Sequence, residues 1–185
     1  MICVIHAHPY PGRSRANRVL ADALRGTPKL DLRCLYDLYP DFDIDVEAEQ
    51  HALAQAHLVV WMHPIYWYTV PGLMKHWFDK VLAHGWAYGE GGTALEGKHC
   101  LWVPTTGGDE NAYTPGGMHA HPFASFMPVV EQTARFCGMR WEPPLVVHGA
   151  HVITDARLAE HAADLEARLA PWRGVTATTN AGAAP

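Results

Sequence analysis

The sequence predicts an α/β domain built on a doubly wound parallel sheet. Strand-like apolar runs alternate with helix-like amphipathic segments five times along the 185 residues, a length typical of one domain. Hydrophobic residues make up 49% of the chain, which is enough for a complete core. Because strands that alternate with helices pair in parallel and carry helices on both faces, the simplest arrangement has three layers.

The first three elements follow from short apolar and amphipathic runs. Ile2–Ala7 is a continuous apolar run suited to a buried strand. Ser14 then occupies the position of a helix N-cap, ahead of apolar residues at helical spacing, and Gly26 and Pro28 end that helix. Residues 30–34 alternate apolar with polar side chains, which predicts a strand with one exposed side.

The middle of the chain predicts two helices around a third strand. Asp45 is expected to cap the first of these helices, because a carboxylate accepts hydrogen bonds from first-turn N–H groups. Leu58–Met62 is an apolar run that predicts another buried strand. The second helix is expected from Pro71, a residue favoured in the first turn, to about His84.

The last part of the chain predicts two more strands and two more helices. Cys100–Pro104 is expected to form the fourth strand and Leu145–His148 the fifth. Residues 122–137 have a helical pattern in which Pro128 predicts a kink or a split. The final helix is expected over Asp155–Trp172.

Composition and the chain ends exclude several classes of protein. The net charge is -5 and only 18% of residues are charged, so no nucleic-acid partner is expected. The N-terminal segment lacks the features of a signal peptide, and the 4 cysteines form no CxxC pair, which predicts free thiols in a reducing cytoplasm. The domain is expected over residues 1–173, and residues 174–185 are expected to form a disordered tail.

Three loops after predicted strands carry the candidate site, because strand carboxyl ends meet near a topological switch point. The first loop has a serine hydroxyl beside the free N–H groups of a helix start, which suits a phosphate. The second loop is aromatic and suits a planar ring. The third loop is glycine-rich and permits close approach of the backbone to a ligand. Together they describe a mononucleotide with a planar head, for which flavin mononucleotide (FMN) fits best. The candidate cofactor-binding residues are His8, Ser14, Arg15, Ala16 and Asn17, then Pro64, Ile65, Tyr66, Trp67 and Tyr68, then Thr105, Thr106, Gly107 and Gly108.

Each loop also has a plainer interpretation. A serine-capped helix start, a hydrophobic plug or dimer contact, and a glycine turn without function are all common in proteins. The first loop contains neither GxGxxG nor the GK[ST] of a P-loop. A metal hydrolase is a rival hypothesis, because His6 with His8 and His119 with His121 resemble ligand pairs. His8 also belongs to the candidate phosphate loop, and no metal site is expected.

Longer segments resemble the flavodoxin-like NAD(P)H:quinone oxidoreductases over residues 1–173. The resemblance is carried by AHPYPGRSRAN, HPIYWYTVPGLMKHWFDKVLAHGWAYGEGGTALEGK and PTTGGDENAY. LYDLYPDFDIDVEAEQ and HGWAYGEGGTALEGKH are similar to the ancillary flavoprotein subunit of glutathione-regulated potassium-efflux systems. The resemblance implies a flavodoxin-like three-layer sandwich, with a five-stranded parallel sheet in the order 2-1-3-4-5 and helices on both faces.

The resemblance also implies an FMN-dependent NAD(P)H:quinone oxidoreductase, in which hydride passes from NAD(P)H through flavin N5 to a quinone in a ping-pong cycle. The chain is shorter than family members that bind FAD, so FMN is expected in preference to FAD. Tyr113 and His119 are the implied catalytic residues, and Tyr113 is also expected to contact the flavin. The implied substrate pocket consists of Tyr88, Trp67 and His119.

The same resemblance implies partners beyond the quinone and NAD(P)H. A homodimer with flavin sites at the interface is expected, in which Tyr88 reaches the pocket of the other subunit. A membrane potassium-efflux transporter is a further expected partner, which implies a cytoplasmic location that extends to the cytoplasmic face of the inner membrane. The alternative function is a regulatory binding subunit of a potassium/proton antiporter whose redox activity is incidental. The preferred quinone stays open, because Gly89–Gly92 replaces an aromatic-rich continuation in the family.

Overall fold

A parallel sheet of five strands forms the middle layer of the computed structural model, which describes residues 1–174. The strand order β2-β1-β3-β4-β5 confirms the predicted flavodoxin-like topology. Apart from Gly174, the predicted tail lies outside the described residues. The strands are β1 (Ile2–His6), β2 (Leu30–Cys34), β3 (Leu58–Pro64), β4 (His99–Thr105) and β5 (Arg140–Trp141).

Helices cover both faces of this sheet. Because successive side chains of a strand point to opposite faces, Ile2 and Val4 pack under α1 and α6, whereas Cys3 and Ile5 pack under α3, α4 and α5. Two separate apolar cores result, one on each face. The helices are α1 (Ala16–Leu24), α2 (Leu35–Leu38), α3 (Val46–Gln55), α4 (Gly72–Val81), α5 (Pro128–Phe136) and α6 (Asp155–Leu169), of which the short α2 is not predicted by the sequence.

The helix N-termini differ in how they are capped. Asp45 accepts a hydrogen bond from Ala48 N, as predicted for the start of α3. The prediction that Ser14 caps α1 is wrong, because α1 begins after Arg15 and the buried Ser14 hydroxyl has no partner within residues 1–174. The first-turn N–H groups of α1 are therefore left without a side-chain acceptor.

The fifth strand lies earlier in the chain than predicted. Residues 145–148 run alongside β4 but form only an isolated bridge, between Thr105 and Val147. The paired strand is β5, which precedes Pro143 and Pro144. Since a proline has no N–H to donate, the pair interrupts the hydrogen-bond ladder between β5 and the bridge.

Two predicted helices are divided by turns. Phe123–Phe126 forms a 3-10 helix, and α5 then begins at Pro128, which confirms the predicted split. The predicted final helix is α6, which ends at Leu169 rather than at Trp172, and a 3-10 turn over Ala170–Trp172 follows it. The four cysteines are free, and no helix within residues 1–174 is both long and apolar enough to cross a membrane.

One buried carboxylate links β2 to the helices beside it. Glu49 of α3 is fully buried and pairs with Arg33 of β2 at 2.6 Å. It also accepts hydrogen bonds from Tyr39 Oη at 2.6 Å and from Trp77 Nε1 of α4 at 2.9 Å. A buried charge is tolerated only when it is paired, and these partners satisfy the carboxylate while they join α3 and α4 to the sheet edge.

Candidate functional site

A cleft of about 510 Å³ lies at the carboxyl ends of β1, β3 and β4. The strand order reverses between β1 and β3, so the loops that follow them run to opposite faces and leave an opening between them. All three predicted loops contribute to its walls. The predicted residues that line the cleft are His8, Ser14, Arg15, Ala16, Asn17, Pro64, Ile65, Tyr66, Thr105, Thr106 and Gly107.

The floor of the cleft near α1 is polar and incompletely hydrogen-bonded. Asn17 Nδ2 donates to Thr105 Oγ1 at 2.7 Å, which joins the first loop to the third. Asn17 Oδ1 and Ser14 Oγ are buried and have no partner within residues 1–174. Since buried polar atoms are normally paired, these two atoms mark a place for a polar ligand. The free N–H groups at the start of α1 favour an anion there.

The cationic groups around this floor differ in availability. The Arg15 guanidinium already pairs with the Ile153 carbonyl and with Asp155, so a ligand would compete with these two partners. Arg13, which also lines the cleft, has no ion pair within residues 1–174. His8 Nδ1 accepts from Tyr10 N at 3.1 Å, so the neutral ring carries its proton on Nε2. Burial lowers the pKa of His8 below its usual value, which favours this neutral form.

The second loop makes a tight turn with an unusual backbone. Tyr66 and Thr69 exchange two backbone hydrogen bonds of 3.1 Å, and the turn between them consists of Trp67 and Tyr68. Both have left-handed φ values, 50° and 65°, which are normally adopted in such turns by glycine or asparagine. Trp67 is 91% exposed. Strain held on two aromatic residues beside a cleft is typical of functional segments.

A buried histidine that the sequence analysis missed lies beneath this loop. His63 accepts a hydrogen bond from Trp102 Nε1 at 2.8 Å, and its Nδ1 lies 2.9 Å from the carbonyl oxygen of Pro64. Since Nε2 accepts, Nδ1 carries the proton and donates it to that carbonyl. Burial lowers the pKa of His63 to about 4, so the ring is neutral at physiological pH. The only sequence signal was a histidine at the end of an apolar strand.

A second group of predicted residues lies beside the cleft. The ring of Tyr113 stacks on His119 with centroids 4.3 Å apart, and the ring of Tyr68 meets His119 in a T-shaped contact at 5.6 Å. A Cβ added to Gly108 would lie 3.0 Å from His119 Nε2, so the glycine permits this close approach. Burial raises the pKa of Tyr113 above its usual value, so the phenol stays protonated. None of these four residues lines the cleft itself.

The structure places Tyr88 away from the cleft of its own chain. Its ring packs against Phe136 of α5 at 4.9 Å and against His84 at 5.5 Å. A groove of about 410 Å³ between α4 and α5 contains Tyr88 and Phe136. The predicted substrate-pocket residues are therefore divided, with Trp67 and His119 near the cleft and Tyr88 on another surface.

The cleft also has walls that the sequence analysis did not include, formed by Tyr10, Ala150 and His151. His151 lies against Gly107, since a Cβ there would be 3.5 Å from its ring. The available signal was positional, because these last two residues follow a predicted strand whose carboxyl end faces the same edge. Residues 1–174 contain no group of three or more His, Cys, Asp or Glu side chains arranged to hold a metal ion.

Comparison with known proteins agrees with this fold. A family described by its flavodoxin-like fold matches residues 1–169. The glutathione-regulated potassium-efflux system ancillary protein KefF of Salmonella typhi is 49% identical over 95% of this chain and 98% of that protein. General stress protein 14 of Treponema denticola, solved in complex with FMN, has a TM-score of 0.84 and 33% identity over 92% of this chain and 98% of its own.

A third relative is an NADPH-quinone reductase from P. pentosaceus, whose structure matches with a TM-score of 0.83. It is 27% identical, and the match covers 95% of this chain and 99% of that one. The family match and the potassium-efflux relative each extend over nearly the whole length described above. The chain therefore belongs to the family with the flavodoxin-like fold, in which the ancillary proteins of glutathione-regulated potassium-efflux systems are among its relatives.

Proposed function

We propose that the chain binds FMN in this cleft and uses it to reduce quinones with NAD(P)H. The observation that carries the proposal is the unpaired polar floor at the start of α1. There, the buried Ser14 hydroxyl and the free N–H groups of residues 15–17 can donate to a phosphate, and Arg13 can neutralise its charge. Asn17 Oδ1, an acceptor, is suited to a ribityl hydroxyl.

The opposite end of the cleft suits a planar ring system. Ile65 and Tyr66 offer apolar and aromatic surface, and the backbone at Gly107 permits close approach. Within residues 1–174, the N–H groups of Gly107 and Gly108 donate to no protein acceptor. They can therefore donate to the oxygen and nitrogen atoms at the edge of an isoalloxazine. FMN is proposed over FAD, as in the Treponema denticola relative solved with FMN.

When bound, a flavin supplies hydride chemistry, by which two electrons from NAD(P)H reach a quinone. The residues of the chain would bind the reactants and stabilise charge. His119 is proposed to supply a proton to the reduced state, since an imidazole is the side chain that most often acts as a general acid in enzymes. Tyr113, whose burial keeps the phenol protonated, is proposed to donate a hydrogen bond in the same place.

A second copy of the chain is proposed to complete the site. The groove between α4 and α5 contains Tyr88 on the surface, and Phe136 beside it is 62% exposed. Exposed aromatic surface of this kind favours a protein contact. Docking of two such faces would bury the groove and bring Tyr88 to the cleft of the partner copy, beside which Trp67 and His119 lie.

A regulatory role is the second candidate function. It is favoured by the 49% identity to an ancillary protein of a potassium-efflux system. In this role the chain would bind a membrane potassium-efflux transporter at the cytoplasmic face of the inner membrane, and reduction of quinones would be incidental. Restoration of potassium efflux in a deletion strain by a His119→Gln variant would favour binding over catalysis.

The absorption spectrum of the purified protein, before and after addition of FMN, tests the proposed cofactor. We expect a flavin spectrum, and chromatography of the released cofactor should identify FMN. The loaded protein should then oxidise NADH or NADPH in the presence of a soluble quinone. A colourless protein that binds no added FMN would overturn the proposal, and release of FAD would correct the cofactor.

A further inference from the structure

The segment over residues 147–150, which begins at the isolated bridge between Thr105 and Val147, is hydrogen-bonded to the third loop. Thr106 N donates to the Val147 carbonyl at 2.9 Å, and Ala150 N donates back to the Thr106 carbonyl at 2.8 Å. Gly149 N donates to the Gly108 carbonyl at 2.9 Å. The shape of the third loop therefore depends on a segment whose hydrogen-bond partners lie at least 41 residues away in sequence.

A side-chain contact joins the same two segments. Thr106 Oγ1 lies 2.7 Å from the Gly108 carbonyl oxygen and 2.9 Å from His148 Nδ1. A carbonyl oxygen can only accept, so the single hydroxyl proton of Thr106 must point to Gly108. The lone pairs of the hydroxyl then face His148, and Nδ1 must carry a proton and donate it. The geometry therefore assigns the Nδ1–H tautomer to His148.

The imidazole of His148 is held in place by two aromatic rings. Phe123 meets it edge-on, with centroids 5.3 Å apart and planes at 90°, and Tyr113 lies on another side at 5.3 Å. Thr106 is only 1% exposed, so water does not compete for its hydroxyl. A hydrogen bond that is shielded from water is stronger than one exposed to it, so this contact restrains the loop more firmly.

The Gly108 carbonyl accepts two hydrogen bonds, one from Gly149 N and one from the Thr106 hydroxyl. Both of its lone pairs are used, so the 108–109 peptide is fixed with its oxygen turned into the protein. On the other side of the loop, the Thr106 carbonyl accepts from Ala150 N and fixes the 106–107 peptide, which carries the Gly107 N–H. The N–H groups of Gly107 and Gly108 are left without acceptors within the described part of the chain. A loop built only from glycine would not hold these donors in one direction, because glycine restricts its backbone least.

We propose that His148 is a positioning residue, whose Nδ1–H directs the Thr106 hydroxyl to the Gly108 carbonyl and thereby fixes the backbone on the carboxyl side of the two glycine donors. The link to a flavin rests on the proposed function, whereas the link to loop order does not. His148 lines no part of the cleft, so its effect must pass through Thr106.

The test compares variants at both ends of the contact. His148→Asn keeps a donor at the position of Nδ1, whereas His148→Leu removes it. Thr106→Val removes the hydroxyl and keeps the branched shape, and the His148→Leu/Thr106→Val double variant completes a cycle. His57→Leu is the matched control, since His57 is a partly buried histidine that precedes β3, at the opposite edge of the sheet from the third loop.

Two measurements are made on each variant. Amide hydrogen exchange over residues 104–110 of the flavin-free protein reports loop order, and quenching of FMN fluorescence reports affinity. We expect His148→Leu and Thr106→Val each to speed exchange and to weaken FMN binding about tenfold, the loss typical of one buried hydrogen bond. The affinity of His148→Asn for FMN should stay within about twofold of that of the original protein, because asparagine keeps the donor. The double variant should bind FMN no more weakly than the weaker-binding single variant, because both substitutions remove the same contact.

Unchanged exchange in His148→Leu, equal loss in His148→Asn, or additive losses in the double variant would overturn the positioning role. Thermal unfolding of each variant checks that it is folded, and Thr106→Val keeps the test decisive if His148→Leu does not fold. If the original protein binds no FMN, the proposed function fails, but the exchange measurement still decides whether His148 orders the loop.

Discussion

Trp102 Nε1 donates a 2.8 Å hydrogen bond to Nε2 of His63, between neighbouring strands of the central sheet. The bond requires a lone pair on Nε2, so the ring cannot be protonated there while the bond exists. Its other nitrogen then donates to the Pro64 carbonyl, directly before the strained turn of the second loop. The neutral state of one buried histidine thus supports the start of a loop that lines the cleft.

Acid should destabilise the protein through this histidine and through His6. Burial lowers the pKa of both to about 4 in the folded chain, against 6.5 when exposed. Between these two pKa values the unfolded chain binds more protons than the folded chain. The contribution of the two histidines to the free energy of unfolding is therefore complete above pH 6.5 and is lost as the pH decreases toward 4. Each histidine contributes up to about 3 kcal/mol to this fall.

Urea unfolding across this pH range measures the effect. His63→Gln and His6→Gln, which cannot be protonated, should each reduce the dependence on pH, even where they lower stability overall. His121→Gln is the control, since His121 is exposed. An identical pH dependence in His63→Gln and the original protein would contradict the assignment.

Ser14→Ala should weaken FMN binding without weakening the fold. The Ser14 hydroxyl is buried and unpaired within residues 1–174, so its loss removes no internal hydrogen bond. We expect about tenfold lower affinity for FMN and an unchanged or higher free energy of unfolding, since an unsatisfied buried group is removed. Isothermal titration and urea unfolding give the two values. The exposed Ser125→Ala is the control, and equal FMN affinity in both variants would remove Ser14 from the site.

His119→Gln should slow reduction of the bound flavin. The variant side chain keeps a polar group but loses the imidazole that can act as a general acid. We expect a loss of at least about tenfold in the rate of reduction by NAD(P)H, at the lower end of what general acid–base catalysis contributes. Stopped-flow absorbance measures it directly. His121→Gln, two residues away and exposed, should reduce at the original rate. An unchanged rate in His119→Gln would exclude the proposed role.

Trp67→Gly should be more stable than Trp67→Ala. Both variants remove the same exposed indole, but only glycine adopts the φ of 50° at this position without strain. The difference in free energy of unfolding should be about 1 kcal/mol, after the greater flexibility of glycine in the unfolded chain is subtracted. Both variants should lose quinone reductase activity relative to the original protein if Trp67 contacts the substrate. Equal stability of the two variants would show that the turn stores no strain.

Local sequence patterns determined much of the architecture. Apolar runs at Ile2–Ala7 and Leu58–Met62 predicted the central strands, because a strand buried on both faces has little choice of side chain. Asp45 predicted the start of α3, since a cap bonds within one turn of itself. The three loops were predicted to converge because carboxyl ends of parallel strands meet at one edge. The roles of Tyr113 and His119 came from resemblance and stay predictions.

The tertiary structure decided what depends on distant partners. Asp155 pairs with the guanidinium of Arg15, which is 140 residues away in sequence. Pro143 and Pro144 interrupt strand pairing, so the fifth paired strand lies earlier in the chain than predicted. His63 and His148 gain their tautomers only from Trp102 and Thr106. Hydrogen bonds between segments far apart in sequence leave no local periodicity, so only the folded chain shows which donors are used and which, like those at Gly107, stay free.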